Sequence, residues 1–278
     1  MPDGVGIPFQ VLGPEDGPAC ILTPGGKGGI SQMLDLGGFL AESGFKCLLH
    51  DRRNTEAADI GFGDGSKAEH DLQVEDTLHL LKHLDMSPAI FVGNSSGSRL
   101  SLLCALEEPS AVTALALMNM TGGKQAAKML AHEYHLRYVK LLNRGGVEAL
   151  ANDNHYIDMV EQNPDNREKL RNLDPEVVRK VLESSGEFLK RSATFPVVGI
   201  DEEQLRSILC PALVIYSMGE PDDGMHTAAV ARGLADILPG AAEDDSILIP
   251  RSNLELCRAL VKFLRESHTC AKMGESDH

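Results

Sequence analysis

An open, mostly parallel, doubly wound α/β sheet with a helical segment inserted late in the chain is the fold that this sequence predicts. Two observations lead there. Short and almost wholly apolar runs alternate with stretches of helical period, the pattern of strands buried on both faces and joined by crossover helices. From about residue 121 to 201 the alternation stops and helical patterning continues alone. A chain of 278 residues is long enough for one large domain with a sizeable core.

The expected strands, in order, are ACILT (19–23), FKCLLH (45–50), AIFVG (89–93), VTALALMN (112–119), ALVIYS (212–217) and SILI (246–249). Between them, Val74, Leu78 and Leu81 recur at helical spacing, and Cys257, Leu260, Val261 and Leu264 form a second stripe near the end. Right-handed crossovers then place the helices on both faces of the sheet. The core is expected over 1–120 and 202–268 and the helical insertion over 121–201. The polar stretch 269–278 reads as a mobile tail.

Composition narrows the function. A formal charge of −15 disfavours nucleic acid and anionic membranes as partners and fits a neutral small molecule. The six cysteines show no CxxC spacing, so free thiols in a reducing, cytoplasmic setting are expected, with no metal site. The first residues, MPDGVGIPFQ, carry no secretory pattern, and no apolar run reaches the ~18 residues of a membrane span.

One stretch carries chemistry. Gly93-Asn94-Ser95-Ser96-Gly97 matches G-x-S-x-G, directly after an apolar strand and at the start of the helical run SRLSLLCALEE. That strand–turn–helix setting is what a nucleophile elbow requires: small flanking residues let strand and helix approach, and the turn exposes Ser95 at the positive end of a helix. Further on, Gly219-x-x-Asp222 sits in an acidic turn, with Glu220 and Asp223 beside it, and His226 follows four residues later.

With these features the chain resembles the α/β-hydrolase superfamily, among its members with a helical cap, over roughly residues 19–265. The resemblance implies a cofactor-independent serine hydrolase with Ser95 as nucleophile and Asp222 as the carboxylate that orients the base. LTPGGKGG stands where the family has its oxyanion loop, so Gly26 and Ser96 would supply the two backbone donors. Pro24 and Gly25, together with His132, Tyr134 and His135 from the insertion, would line the substrate site. DRRNTEAAD resembles the family's D-x-R-G-x-G-x-S loop but departs at Asn54, Glu56 and Ala58, and Glu56 is expected to shape the loop differently.

A larger departure follows the last strand. Where the family has its catalytic histidine, this chain reads ILIPRSNLELC. His226 is the first substitute, placed near a helix start that favours an uncharged imidazole. His132, His135 and His155 of the insertion are further candidates, whereas His79 and His83 belong far from the strand ends. The implied substrates are a small ester, thioester, lactone or activated C–C bond. A ligand-binding member without a working triad, or a lyase, is the alternative that the missing histidine leaves open.

Overall fold

The computed structural model describes residues 1–216, 224–241, 250 and 252–275. Six strands form one sheet in the order β1-β3-β2-β4-β5-β6. They are β1 (Phe9–Leu12), β2 (Ala19–Thr23), β3 (Lys46–His50), β4 (Ala89–Asn94), β5 (Val112–Met118) and β6 (Ala212–Ile215). All neighbours run parallel except β1, which pairs antiparallel with β3. This edge strand was not expected from the sequence, because FQVL is short and mostly exposed and so lacks an apolar run. The expected strand 246–249 lies outside the described residues.

Alternation along the strands explains the two layers. Ile21, Leu48, Phe91, Leu115 and Leu117 point to one face and join a core with Val74, Leu78 and Leu81. These last three come from α2 (Glu69–His83), and α3 (Ser96–Glu107) covers the same face. Cys20, Leu22, Cys47, Leu49, Ile90 and Val92 point the other way. They pack with Leu40 of α1 (Leu34–Glu42) and with Leu260 and Leu264 of α11 (Asn253–Glu275). Each buried Leu or Ile contributes about 1.5–3 kcal/mol relative to exposure, so the sheet is held from both sides. The expected tail from 269 instead continues α11 to Glu275, since nothing before Gly274 interrupts the helix.

A run of helices follows β5: α4 (Gly123–Ala131), α5 (Arg137–Ala151), α6 (Asn154–Gln162), α7 (Asn166–Arg171) and α8 (Pro175–Arg191). Its own core includes Tyr138, Tyr156, Val181 and Leu182, and also takes up Ile60 and Phe62 from the loop after β3. Two short helices bracket β6: α9 (Glu202–Ser207) leads into it and α10 (Ala228–Ile237) follows. Among the described residues, no helix is long and apolar enough to cross a membrane.

Candidate active site

Ser95 sits on the turn between β4 and α3 with φ 51° and ψ −111°, a conformation that a side-chain-bearing residue adopts only under constraint. The constraint is packing. A Cβ on Gly97 would stand 2.2 Å from the Thr23 carbonyl oxygen, and one on Gly93 would stand 2.5 Å from the Gly97 carbonyl carbon. Only glycine lets α3 start this close to β2 and β4. The Ser95 N–H donates to the Met118 carbonyl at 2.8 Å, and Ser98 Oγ donates to the Gly93 and Met118 carbonyls, tying the turn to β5.

His226 meets this serine: its Nε2 lies 2.9 Å from Ser95 Oγ. The histidine is not a helix cap. Thr227 caps α10 by accepting from the Val230 N–H, and His226 is held one residue earlier by an isolated antiparallel bridge to Thr121, just past β5. The Gly122 N–H donates to the Met225 carbonyl at 3.3 Å beside it. Asp222, like Glu220 and Asp223, lies outside the described residues.

The glycine loop after β2 faces the same turn. A Cβ on Gly25 would come 3.1 Å from Ser95 Cβ, and Gly26 takes φ +57°. Arg52 clamps the two candidate oxyanion positions together, donating to the Gly26 carbonyl at 2.5 Å and to Ser96 Oγ at 3.2 Å. Asn54 and Glu56 both have positive φ, 62° and 48°. Glu56 therefore does not reshape its loop; it adopts the conformation a glycine would take. Asp51 keeps the loop in place by accepting from the Ile30 and Ala57 N–H groups at 2.8 and 3.2 Å.

Beside Ser96 and Gly26 a cavity of about 60 Å³ opens under the inserted helices. Tyr134 and His135 line it, as the sequence suggested, and so does His155. His132 does not: its side chain is 46% exposed and lies 2.9 Å from Glu133. The reason is local. Residues His132–Leu136 form a π-helix, whose wider turn takes positions three apart off a common face. Pro24 and Gly25 support the elbow rather than line this cavity.

Sequence reasoning missed the cavity's further ionisable residues: Lys27, Arg52, Glu69, His70 and Arg99. A signal was available, since Arg52 directly follows the loop's first residue and Arg99 stands one helical turn beyond Ser95. Burial pushes the Glu69 carboxyl up, but His135, 3.3 Å away, and Asn54, donating at 2.7 Å, outweigh it and hold the group below its ordinary range. Burial lowers the pKa of His70 and of His155 to about 4, so both rings are neutral at pH 7. Lys27 is lowered by burial, then by Arg137, to about 8. A larger open groove of about 1420 Å³ lies elsewhere, around Arg53 and Asp76. Those two form a buried ion pair at 2.5 Å, and neither Ser95 nor His226 borders the groove. Among the described residues, no group of three His, Cys, Asp or Glu side chains is arranged to hold a metal ion.

No family model matches the chain. A protein of Variovorax paradoxus named as a carbamate hydrolase (RutD) is 31% identical over 116 residues, 40% of this chain and 41% of that protein. The match thus spans about two fifths of the relative's length. Among solved structures, the enol-lactonase of Burkholderia xenovorans superposes with a TM-score of 0.60 at 19% identity, covering 96% of this chain and 97% of that one. The meta-cleavage product hydrolase of Pseudomonas fluorescens gives 0.63 at 15% identity, covering 95% and 96%. Likeness of this extent over nearly the whole chain shows the fold, and the chain has the α/β-hydrolase fold.

Proposed function

We propose that the protein is a cofactor-independent serine hydrolase of a small ester, thioester or lactone. The observation that carries this reading is the 2.9 Å contact between Ser95 Oγ and His226 Nε2, which gives the serine the base that its sequence context lacks after the last strand. Ser95 Oγ adds to the substrate carbonyl as its proton passes to His226. The carbonyl oxygen, now negative, faces the backbone N–H groups of Gly26 and Ser96, each worth about 3 kcal/mol in comparable sites. The carbonyl re-forms as the bond to the leaving group breaks, and that group departs with the proton from His226. Water then attacks the acyl-serine, losing its proton to His226; as the acyl–oxygen bond breaks, His226 returns that proton to Ser95 Oγ and the acid is released. Asp222 orients the imidazole in this scheme, and the helices α4–α8 roof the acyl pocket. The names of the similar proteins, an enol-lactonase and a carbamate hydrolase, are in keeping with acyl chemistry.

The test is intact-mass analysis after exposure to a fluorophosphonate probe. The wild type should gain one adduct, Ser95→Ala none, and His226→Ala should label at least ~100-fold more slowly. Absence of labelling in the wild type would remove the hydrolase reading and favour a ligand-binding or lyase role. Unimpaired labelling of His226→Ala would move the base to another residue.

A further inference from the structure

The cavity beside the elbow is built for an anion. Arg52 is 5% exposed. It donates to Gly26 and Ser96, while its buried Nε–H has no partner. Arg99 presents a buried Nη1 that is likewise unpartnered. Among the described residues, neither guanidinium lies within ion-pair distance of a carboxylate. Burial and the neighbouring Arg52 together lower the Arg99 pKa to about 10. Lys27 adds a third cation, bonded to Tyr138 Oη. The carboxylate of Glu69 is already taken up by Asn54 and His135. Buried cations held together without a counterion cost several kcal/mol and persist where a ligand supplies the missing charge.

We infer that Arg52 and Arg99 bind a carboxylate of the substrate, so that the hydrolase acts on half-esters, thioesters or lactones of short dicarboxylic acids. This inference rests on the proposed acyl chemistry and names its substrate class. Both guanidinium groups line this cavity and each keeps a buried N–H without a partner, which supplies donors for the two oxygens of a carboxylate. A cavity of about 60 Å³ admits that group but no long chain. Its lining includes Gly26 and Ser96, so a carboxylate held there neighbours the proposed oxyanion donors, and an acyl-side carboxylate follows as part of the inference. The expectation of a neutral substrate, drawn from the overall charge of −15, is thereby replaced: net charge describes the surface, and this cavity is locally positive.

Two readouts test it at pH 7.0. In the first, mono-p-nitrophenyl succinate and its methyl ester are compared by kcat/KM after subtraction of the uncatalysed rates. The acid should be preferred roughly 10- to 100-fold. The preference should collapse in Arg99→Gln and return in part in Arg99→Lys, with thermal melts to verify folding. Equal or better turnover of the methyl ester would overturn the inference. In the second, calorimetry on Ser95→Ala titrates monomethyl succinate and dimethyl succinate, and only the acid should bind. Acid binding that depends on Arg99, in a wild type that hydrolyses neither ester, would keep the anion site and discard the hydrolase. Hydrolysis of both esters with no acid binding would do the reverse. Displacement of the acid by lower concentrations of inorganic phosphate would overturn the assignment to carboxylate.

Discussion

Replacing Arg99 by Met should make the unliganded protein more stable, although it removes a large buried side chain. The guanidinium is pulled down from its ordinary range to about 10, first by burial and then by Arg52. At ~1.36 kcal/mol per pKa unit, the folded state disfavours the charge by something on the order of 3 kcal/mol. The sign is fixed by linkage. At pH 7.5 Arg99 is protonated in both folded and unfolded chains, so the whole penalty is present. It would be relieved only as pH climbs above about 10. Methionine retains much of the aliphatic stem that lies beside Gly199 and can adapt to Phe188. Allowing for lost contacts and water near the cavity, a net gain of about 1–2 kcal/mol remains, equivalent to ~2–8 °C in Tm. Urea titration and calorimetry in buffer free of carboxylates and phosphate measure it. A variant less stable than wild type by 1 kcal/mol or more would refute the reasoning, because Arg99 would then have been satisfied in the unliganded fold.

Two further outcomes follow from the same geometry. Gly97→Ala places a Cβ 2.2 Å from the Thr23 carbonyl oxygen, so it should cost about 1–3 kcal/mol in urea melts and abolish fluorophosphonate labelling. Affinity for monomethyl succinate should weaken several-fold as pH rises through about 8, where Lys27 loses its charge among Arg137, Asp153, Glu69 and Glu133. Below that pH the lysine is cationic and favours the acid. Lys27→Met should flatten the profile, and a steeper one would assign the titration elsewhere.

What could be read in the sequence was what short segments determine. The elbow was legible because Gly93, Ser95 and Gly97 serve one local turn whose sterics tolerate little else. His226 was legible as a candidate because it follows Asp222 by four residues near a helix start. The cationic cavity was not, because Lys27, Arg52 and Arg99 are far apart in the chain and converge only when β2, β3 and β4 pair in register. That His132 turns away while His135 lines the cavity was not legible, because a π-helical turn leaves no mark in residue periodicity. Strand β1 escaped for a similar reason: an exposed edge has no core to imprint an apolar run.

Placing His226 on the segment after β6 turns the sheet into a ruler for the Ser95–His226 distance. Ser95 leaves β4, Thr121 lies just past β5, and His226 arrives after β6, so three neighbouring strands set the gap. Adjacent strands lie ~4.8 Å apart, and two such steps are bridged by the side chains of Ser95 and His226 together with the Thr121 bridge. Pairing of Met118 with Ile215 brings the ends of β5 and β6 level beside that bridge.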